Sequence, residues 1–404
     1  MASNCIVLKG GTLLMFNDAD EAIEVLRNTS LLVIDGRIAA IGNFIDLSIP
    51  AGADIINVEG RIVSPGFVNT HVHSGARYWW CYDLIDRPHF PLEQQWEALA
   101  YIARRPHASR AALGLALDGT GHTIRADPDA ELKLLKEKTK GLDVQALTLH
   151  EMCGGAWPMQ GTSASDWSRL GLQQLGLPLI LSHSPFLKMS DIQALREHDF
   201  NISIAPESEF HYGHGQTASH CISDQASLGL DTAFTFSGDM ITQARLWLQA
   251  VRSKNYQKTV DDGFIPRETP MTVEQAFLLA TRQGGLALRR RDVGVLQVGA
   301  KADLAIFNGE SPNMLGWSDP VAAVILHAHP SDVEHVLVDG RFRKRDFRLV
   351  DLKVPWSEVK ERFVEAAKRV KPYAAVGEHP LPDKLWGQGT FGGVEVASTV
   401  RRSI

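Results

Sequence analysis

The sequence predicts an α/β fold, with a barrel of parallel strands between two segments that together build one small β domain. Short strands rich in valine and isoleucine, separated by Gly and Asp turns, fill residues 1–61 and return after residue 290. At residues 62–290, apolar strands alternate with helical stretches, a pattern typical of a parallel sheet with crossover helices. We therefore expect residues 62–290 to form the barrel, and residues 1–61 and 291–404 to form the β domain with a terminal helix and tail.

Each predicted element has its own local signal in the sequence. The N-terminal strands are CIVLKGGTLL, LLVIDGRIAAIG and DIINVEGRIV. In the middle of the chain RAALGLALDG, VQALTLHEM, PLILSHSPF, NISIAP and AFTFSGD predict strands, while QQWEALAYIARR, DAELKLLKEKTKG, SDIQALREHD and MITQARLWLQ predict helices. Strands return in VGVLQVGAKADLAIFN, AAVILHA and VEHVLVDGRFRKRDFRLV, and an amphipathic helix is expected near residues 357–370.

Composition and charge exclude several classes of protein. The 404 residues are 44% hydrophobic and 22% charged, which is ordinary for a globular protein and excludes collagen, coiled coil and low-complexity chains. The net charge of −6 gives no cationic field for nucleic acid or anionic lipid. The four cysteines lie far apart, and no apolar run reaches the roughly 18 residues of a membrane span. We expect a cytoplasmic protein that acts on a small molecule and binds neither nucleic acid nor membrane.

The clearest chemical signal is PGFVNTHVHS, in which an apolar strand ends in His71 and His73. Side chains alternate along a strand, so histidines at positions i and i+2 project to the same side and can bind one metal ion. Zinc accepts imidazole ligands readily. A pair of surface histidines would give the same pattern, so the motif alone does not decide the matter.

Three other predicted strands also end in residues able to bind a metal: His150, His183 and Asp239. The carboxyl ends of parallel barrel strands meet on one face, where the active sites of this architecture lie. His183 could instead be a core histidine bonded to the backbone, and Asp239 could cap the helix that follows it. The convergence of four strand ends nevertheless predicts a metal site.

PGFVNTHVHS, TPMTVEQAFLLATRQGGLAL and GVLQVGAKADLAIFN together resemble the amidohydrolase superfamily, in particular its cytosine deaminase and chlorohydrolase-like branch. APESEFHYGHG and SGDMITQARLWL are similar to a subgroup of amidohydrolase-like proteins of fungi and actinobacteria, whose substrates are mostly unassigned. The resemblance implies a TIM-like (β/α)₈ barrel with a composite β-sandwich domain. It also implies one divalent metal ion, with zinc as first choice and iron or manganese as alternatives, that activates water.

Carried over by position, the resemblance makes His71, His73, His150 and Asp239 the metal ligands. His183 would orient the substrate or the attacking water, and Asp239 would also accept the proton of that water. Three imidazoles and one carboxylate leave an ion enough charge to lower the pKa of bound water toward ~7. The carboxylated lysine that bridges two metals in other branches has no counterpart here, which favours a mononuclear site.

The sequence departs from the deaminase pattern at Cys153, where those enzymes carry the glutamate that shuttles protons. Glu207 or Glu209 could supply the missing acid or base, with Glu207 as the catalytic candidate and Glu209 as a substrate contact. Either could instead be a helix-terminal or loop carboxylate. His214 is expected to line the substrate pocket, while Cys153 is expected to be a buried thiol.

The barrel is also short. From His73 to His150 there are 77 residues, although a β/α unit takes on the order of 30 and the superfamily needs three further units there. One or two units are therefore expected to be missing, and either residues 75–109 or a second subunit of a homo-oligomer would cover the open strand edge. Trp79 and Trp80 could plug this gap or form an aromatic wall of the substrate pocket.

These observations predict a metal-dependent hydrolase acting on a non-peptide C–N bond of a small cyclic or aromatic molecule. One alternative is a metal-dependent lyase, decarboxylase or cyclase of secondary metabolism, because the deaminase glutamate is missing. A second alternative is a catalytically inactive barrel that binds a ligand, because the barrel is short.

Overall fold

A computed structural model describes most of the chain. The described residues are 5–72, 78–85, 87–105, 111–118, 127–152, 163–215, 219–232, 235–374, 380–385 and 389–397. Within them, no helix combines the length and the apolar character needed to cross a bilayer.

The strands follow the valine- and isoleucine-rich segments of the sequence. In chain order they are β1 (Cys5–Asn17), β2 (Ala22–Ile34), β3 (Arg37–Gly42), β4 (Asp54–Asn57), β5 (Arg61–Pro65), β6 (Tyr78–Asp83), β7 (Ala111–Ala116), β8 (Val144–Glu151), β9 (Leu179–His183), β10 (Asn201–Ile204), β11 (Ala226–Leu228), β12 (Leu304–Asn308), β13 (Val333–Val338), β14 (Arg341–Arg345), β15 (Arg348–Leu349), β16 (Lys384–Leu385) and β17 (Gly389–Thr390).

Most helices begin at residues whose side chains or backbone geometry suit a helix start. They are α1 (Leu92–Ala103), α2 (Pro128–Thr139), α3 (Ala164–Leu170), α4 (Met189–His198), α5 (Pro206–Tyr212), α6 (Met240–Asp261), α7 (Val273–Ala280), α8 (Arg282–Ala287), α9 (Pro320–Ala322) and α10 (Trp356–Val370). Asp127 caps α2 ahead of a proline at its first position, and Thr272 caps α7 with Gln275 bonding back. A π-helical turn, Ala323–His327, follows α9.

Both ends of the chain contribute to one nine-stranded sheet. Its strand order is β15-β14-β13-β12-β5-β1-β2-β3, with β4 paired to β1. β1 pairs with β4 through its first half and with β5 through its second half, and its register with β2 shifts between Leu8 and Leu13. This irregularity bends the long β1–β2 ribbon over an apolar core that includes Leu8, Leu31 and Ile306.

The second large sheet is parallel and carries the barrel. Its order is β11-β10-β9-β8-β7-β6, and each of its ladders is parallel. The segment before His71 joins the β11 edge, because the Thr70 N–H donates to the Leu228 carbonyl and Val72 bridges to Asp231 in parallel. The core of this unit extends from α1 through the strands to α7.

Three aromatic rings join the two sheets. Phe67 lies edge-on to Phe307 of β12 at 6.3 Å and to Phe277 of α7 at 6.4 Å between ring centroids. Phe277 and Phe307 are fully buried. The segment that leads to His71 is thus packed between the nine-stranded sheet and a barrel helix.

The predicted fold class is confirmed: a parallel barrel sheet lies between chain segments that share a second, mostly antiparallel sheet. The aromatic segment YWWCYDL is a strand, β6, that pairs with β7. In the described residues, the parallel sheet has six strands. The segment ending at Val72 lies beside its β11 edge as a seventh member. In the described part of the chain, no ladder joins β6 to that segment. The domain limits at residues 61 and 290 remain a prediction.

For two segments that the sequence predicts to be strands, the described residues have another conformation. AAVILHA is α9 and the π-helical turn, because the Asp319 carboxylate accepts the N–H groups of Val321 and Ala322 and Pro320 occupies the first helical position. These helix-start signals outweigh the strand preference of the apolar run. The strand before α6 is β11. In AFTFSGD, residues 233–234 lie outside the described residues, and residues 235–239 are not a strand: the N–H groups of Thr235 and Phe236 donate to the Thr232 carbonyl.

We expect the Phe307→Ala variant to lose about 3–5 kcal/mol of unfolding free energy, because a fully buried ring leaves a cavity at the junction of the two sheets. Urea denaturation of the two proteins would measure this difference. The control is Phe264→Ala, which removes a ring that is 70% exposed. A loss no larger than that of the control would contradict the role assigned to the aromatic junction.

Candidate metal centre

Three histidines from distant parts of the chain meet at the carboxyl ends of the barrel strands. His71 ends the segment beside β11, His150 lies in β8 and His183 is the last residue of β9. Their ring centroids are 4.9 Å (His71–His150), 5.1 Å (His71–His183) and 5.6 Å (His150–His183) apart. One nitrogen from each ring lies within 4.8 Å of the others, which fits a shared metal ion.

The position of His71 is set by hydrogen bonds to the loop after β11. The N–H groups of Leu230 and Asp231 both donate to the His71 carbonyl, at 2.9 and 3.0 Å. The Thr70 hydroxyl lies 2.6 Å from Ser203 Oγ and 2.8 Å from Ser227 Oγ. A Cβ at Gly229 would lie 2.7 Å from His71 Cβ, so this close approach requires glycine.

The Nδ1 atom of each histidine is held by a neighbouring side chain. His71 Nδ1 lies 2.9 Å from Ser182 Oγ, His150 Nδ1 lies 2.8 Å from Asp118 Oδ2, and His183 Nδ1 lies 3.2 Å from Glu209 Oε1. Such partners fix the orientation and tautomer of metal-binding imidazoles. Nε2 is therefore the nitrogen that each ring can present to a common ion.

A buried carboxylate, Asp231, completes the group. Its Oδ1 lies 3.5 Å from His71 Nε2, and its Oδ2 accepts a hydrogen bond from the Ser208 hydroxyl. Three imidazoles and one carboxylate form a donor set that zinc and similar divalent ions prefer. By the chemistry of these donors, the described residues fit one divalent metal ion.

The surroundings of the histidines tune their protonation. Burial is the main cause that lowers the pKa of His71 to about 3; the neighbouring histidines act in the same direction and the contact with Asp231 opposes them. Burial alone would lower the pKa of His150, but the hydrogen bond and charge of Asp118 outweigh it and raise that pKa. The same contact holds the pKa of Asp118 below its usual range despite burial. The His71 ring is thus neutral at physiological pH, as a metal ligand must be.

Asp239 is the N-cap residue of α6 in the described structure. Its carboxylate caps α6, with Oδ1 accepting the Thr242 N–H at 2.8 Å and Oδ2 accepting the Thr242 hydroxyl at 2.7 Å. The helix-cap alternative from the sequence accounts for both oxygens, and Asp231 lies beside His71 where Asp239 was expected. The sequence marked Asp231 only weakly, because β11 is three residues long and lacks a run of β-branched residues.

Glu207 and Glu209 lie on α5, where the helix separates them. Glu207 Oε2 accepts the Ser237 N–H, the Ser237 hydroxyl and the Gln243 amide at 3.1, 2.6 and 2.9 Å. Glu209 is fully buried, and its Oε1 accepts the Ala205 N–H at 2.9 Å as well as facing His183. Its Oε2 is buried without a hydrogen-bond partner among the described residues.

The remaining predicted site residues have different outcomes. His214 is buried beside His183, with ring centroids 5.3 Å apart, and burial lowers its pKa to about 4. His73 and Cys153 lie outside the described residues. Trp79 and Trp80 belong to β6 and pair with Ala112 and Leu113, and the plug and wall interpretations of their side chains stay predictions.

Sequence reasoning missed two side chains that hold the histidines, Asp118 and Ser182. Asp118 lies two residues after the end of β7, near the end of the strand segment RAALGLALDG. Ser182 precedes His183 in β9. The rule that active-site residues follow parallel strands could have found Asp118, whereas a serine inside a strand carries no such signal.

The sequence was compared with known families and relatives. A sequence model of the Amidohydrolase family matches residues 171–343. The chain is similar to the 5-methylthioadenosine/S-adenosylhomocysteine deaminase of Pelotomaculum thermopropionicum, with 28% identity over 196 residues, 48% of this chain and 44% of the relative. That match spans less than half of the relative's length. A protein of the same name from Acetivibrio thermocellus is 22% identical over 450 aligned positions, covering 90% of this chain and 99% of the relative.

The fold was compared with solved structures. An adenosine deaminase from Xanthomonas campestris with bound zinc superposes with a TM-score of 0.71 at 15% identity, covering 91% of this chain and 98% of that chain. The zinc complex of an atrazine chlorohydrolase from Arthrobacter aurescens gives 0.68 at 14% identity, covering 90% and 99%. At these identities the similarity establishes the shared fold.

The roles of Asp231 and Asp239 can be distinguished experimentally. We expect Asp231→Asn to weaken zinc binding, because it removes the carboxylate beside His71. We expect Asp239→Asn to leave zinc affinity unchanged and to alter only the α6 cap, within about 1 kcal/mol of stability. Zinc competition titrations and urea denaturation measure the two effects. A loss of zinc affinity confined to Asp239→Asn would restore the assignment made from the sequence.

Proposed function

We propose that this chain, residues 171–343 of which match a sequence model of the Amidohydrolase family, is a metal-dependent hydrolase that cleaves a non-peptide C–N bond of a small cyclic molecule. The observation that carries the proposal is a set of three clustered histidines whose Nδ1 atoms all have side-chain partners, so that each ring can present Nε2 to a shared ion, with Asp231 next to His71. Imidazoles and a carboxylate are ligands that zinc binds well. The names of the relatives, deaminases and a chlorohydrolase, support hydrolysis over the lyase alternative and over an inactive barrel.

We assign His71, His150 and His183 as proposed metal ligands, with Asp231 in place of Asp239. His73 stays a proposed ligand, because side chains two positions apart in a strand project to the same side. Zinc is the proposed ion, since it suits an imidazole-rich set. When bound, such an ion lowers the pKa of a coordinated water to about 7 and supplies hydroxide at neutral pH.

Two carboxylates are proposed to handle protons and substrate. Asp231, buried beside His71, accepts the proton of the attacking water. Glu209 holds His183 through Oε1 and offers its second buried oxygen, Oε2, to a donor group of the substrate. Glu207 is committed to Ser237 and Gln243, so we propose a structural role for it in place of the catalytic one.

The cellular compartment and the partners of the protein are proposed from its sequence. The net charge of −6 disfavours nucleic acid and anionic lipid, and the widely spaced cysteines suit a reducing, cytoplasmic compartment. Among the described residues, Cys5, Cys81 and Cys221 form no disulfide bond. A homo-oligomer remains our proposal for covering the β6 edge, and a role in secondary metabolism belongs to the lyase alternative.

The first test combines metal content with the fate of water. We expect about one zinc, iron or manganese per chain in protein purified without added metal, and loss of that metal in a His71→Ala, His150→Ala double variant. With amino-substituted heteroaromatic rings as substrates in heavy-oxygen water, we expect the label in the product, because hydrolysis must transfer oxygen from water. Turnover without the label would favour the lyase alternative. A protein without metal even after soaking would overturn the proposal.

The second test concerns the carboxylates that hold the histidines. We expect Asp118→Asn and Glu209→Gln each to weaken zinc binding about 10–100-fold, as is usual for partners of metal-binding histidines. At saturating zinc, only Glu209→Gln is expected to lower kcat, by about 10²–10⁴-fold. The control is Asp191→Asn, a buried carboxylate bonded to Ser165 and Lys188 at the start of α4, which should keep wild-type zinc affinity. Equal losses in all three variants would indicate general destabilisation.

A further inference from the structure

A group of aromatic rings lies beside the candidate metal centre and has no role in the proposed chemistry. We call His211, Tyr212 and Phe236 the aromatic shelf. Their ring centroids are 5.1 Å (His211–Tyr212), 5.3 Å (His211–Phe236) and 5.6 Å (Tyr212–Phe236) apart, all in edge-to-face geometry. Tyr212 is 46% exposed, so the shelf presents ring surface to solvent.

A continuous series of rings connects the shelf to the candidate metal centre. His214 stacks on Tyr212 with an interplanar angle of 24° and a centroid distance of 5.8 Å. On its other side, His214 lies 5.3 Å from the ring of His183. His214 itself is buried, whereas Tyr212 is half-exposed. The rings therefore extend from the buried centre outward to the protein surface.

The shelf is held in place by hydrogen bonds between the two loops that carry it. His211 and Tyr212 end α5, which follows β10, and Phe236 lies in the segment after β11. Glu207 joins these segments by accepting the N–H and hydroxyl of Ser237, the neighbour of Phe236. Both segments leave the carboxyl ends of their strands, the face on which barrel enzymes bind substrate.

The chemistry around the centre restricts what the shelf can hold. Aromatic faces and edges favour flat rings, which stack or pack edge-on over a large area. The charged groups that act on His150 are the carboxylates of Asp118, Asp231 and Asp83, and Glu209 faces His183. These four carboxylates outnumber the two positive charges of the proposed ion, so the site disfavours an anionic ligand even with the ion bound. A flat ring without negative charge fits both the surface and the electrostatics.

We propose that the aromatic shelf binds the planar ring of an uncharged or cationic substrate and places it against His214, beside the metal centre. This inference rests on the proposed hydrolase function and adds residues that determine its specificity. Glu207 acts on the substrate only through the shelf, by fixing Phe236 relative to Tyr212.

The experiment uses indole as a probe, because indole is flat, uncharged and has no basic nitrogen to bind a metal. Calorimetric or ligand-observed NMR titration of the purified protein should show that indole binds more tightly than cyclohexanol and than the anion indole-3-acetate. We expect Tyr212→Ala and Phe236→Ala each to weaken indole binding about tenfold, equivalent to about 1.4 kcal/mol. Tyr212→Phe, which keeps the ring, should retain binding. Tyr101→Ala, which removes an exposed tyrosine on α1, is the matched control.

Zinc titration of the same variants separates this inference from the proposed function. The shelf variants should bind zinc as the wild type does, and with a ring substrate they should raise KM while leaving kcat within about twofold. The inference is overturned if indole fails to bind the wild type, binds no better than cyclohexanol, or binds the shelf variants unchanged. If the wild type binds indole but no metal, the hydrolase proposal fails while the ring-binding surface stands.

Discussion

The attachment of the segment before His71 to the β11 edge is the interaction on which the candidate centre depends. His71 is more than a hundred residues from Asp231 in the sequence, yet its carbonyl accepts the N–H groups of both Leu230 and Asp231. The hydroxyl of Thr70 adds contacts to the two strands next to it. Because these bonds involve the backbone, they fix His71 independently of any ion. Gly229 makes the close approach sterically feasible.

Bringing three imidazoles together in a buried place has an electrostatic cost, and the structure offsets it differently at each ring. His71, whose pKa is lowered mainly by burial to about 3, faces the neutral hydroxyl of Ser182 and stays uncharged. His150 and His183 face the carboxylates of Asp118 and Glu209, which orient each ring through Nδ1. A hydroxyl partner such as Ser182 only orients the ring, whereas a carboxylate partner also increases the basicity of the ring's Nε2 atom. The combination suits a cation bound between the three rings.

The sequence predicted the parts of this arrangement that periodicity and strand-end chemistry control. Alternating strands and helices indicated the parallel sheet, and His71, His150 and His183 follow from their places at strand ends. Asp231 was missed because β11 contains only Ala226, Ser227 and Leu228, too few residues to give a pattern. The stronger apolar run AFTFSGD directed the prediction to Asp239. The strand predicted for AAVILHA was wrong for the opposite reason: the helix cap at Asp319 outweighed an apolar run typical of strands.

The two glutamates of α5 show why backbone conformation, not residue type, decides which carboxylate can take part in chemistry. On a strand, Glu207 and Glu209 would point to the same face. On a helix, two residues correspond to a rotation of about 200°, so the side chains diverge. Glu207 faces α6 and the segment of Phe236, where three hydrogen bonds occupy it. Glu209 turns into the barrel against His183 and keeps one buried oxygen without a partner in the described residues. About half a helical turn thus separates a carboxylate held by three hydrogen bonds from one that faces a candidate metal ligand.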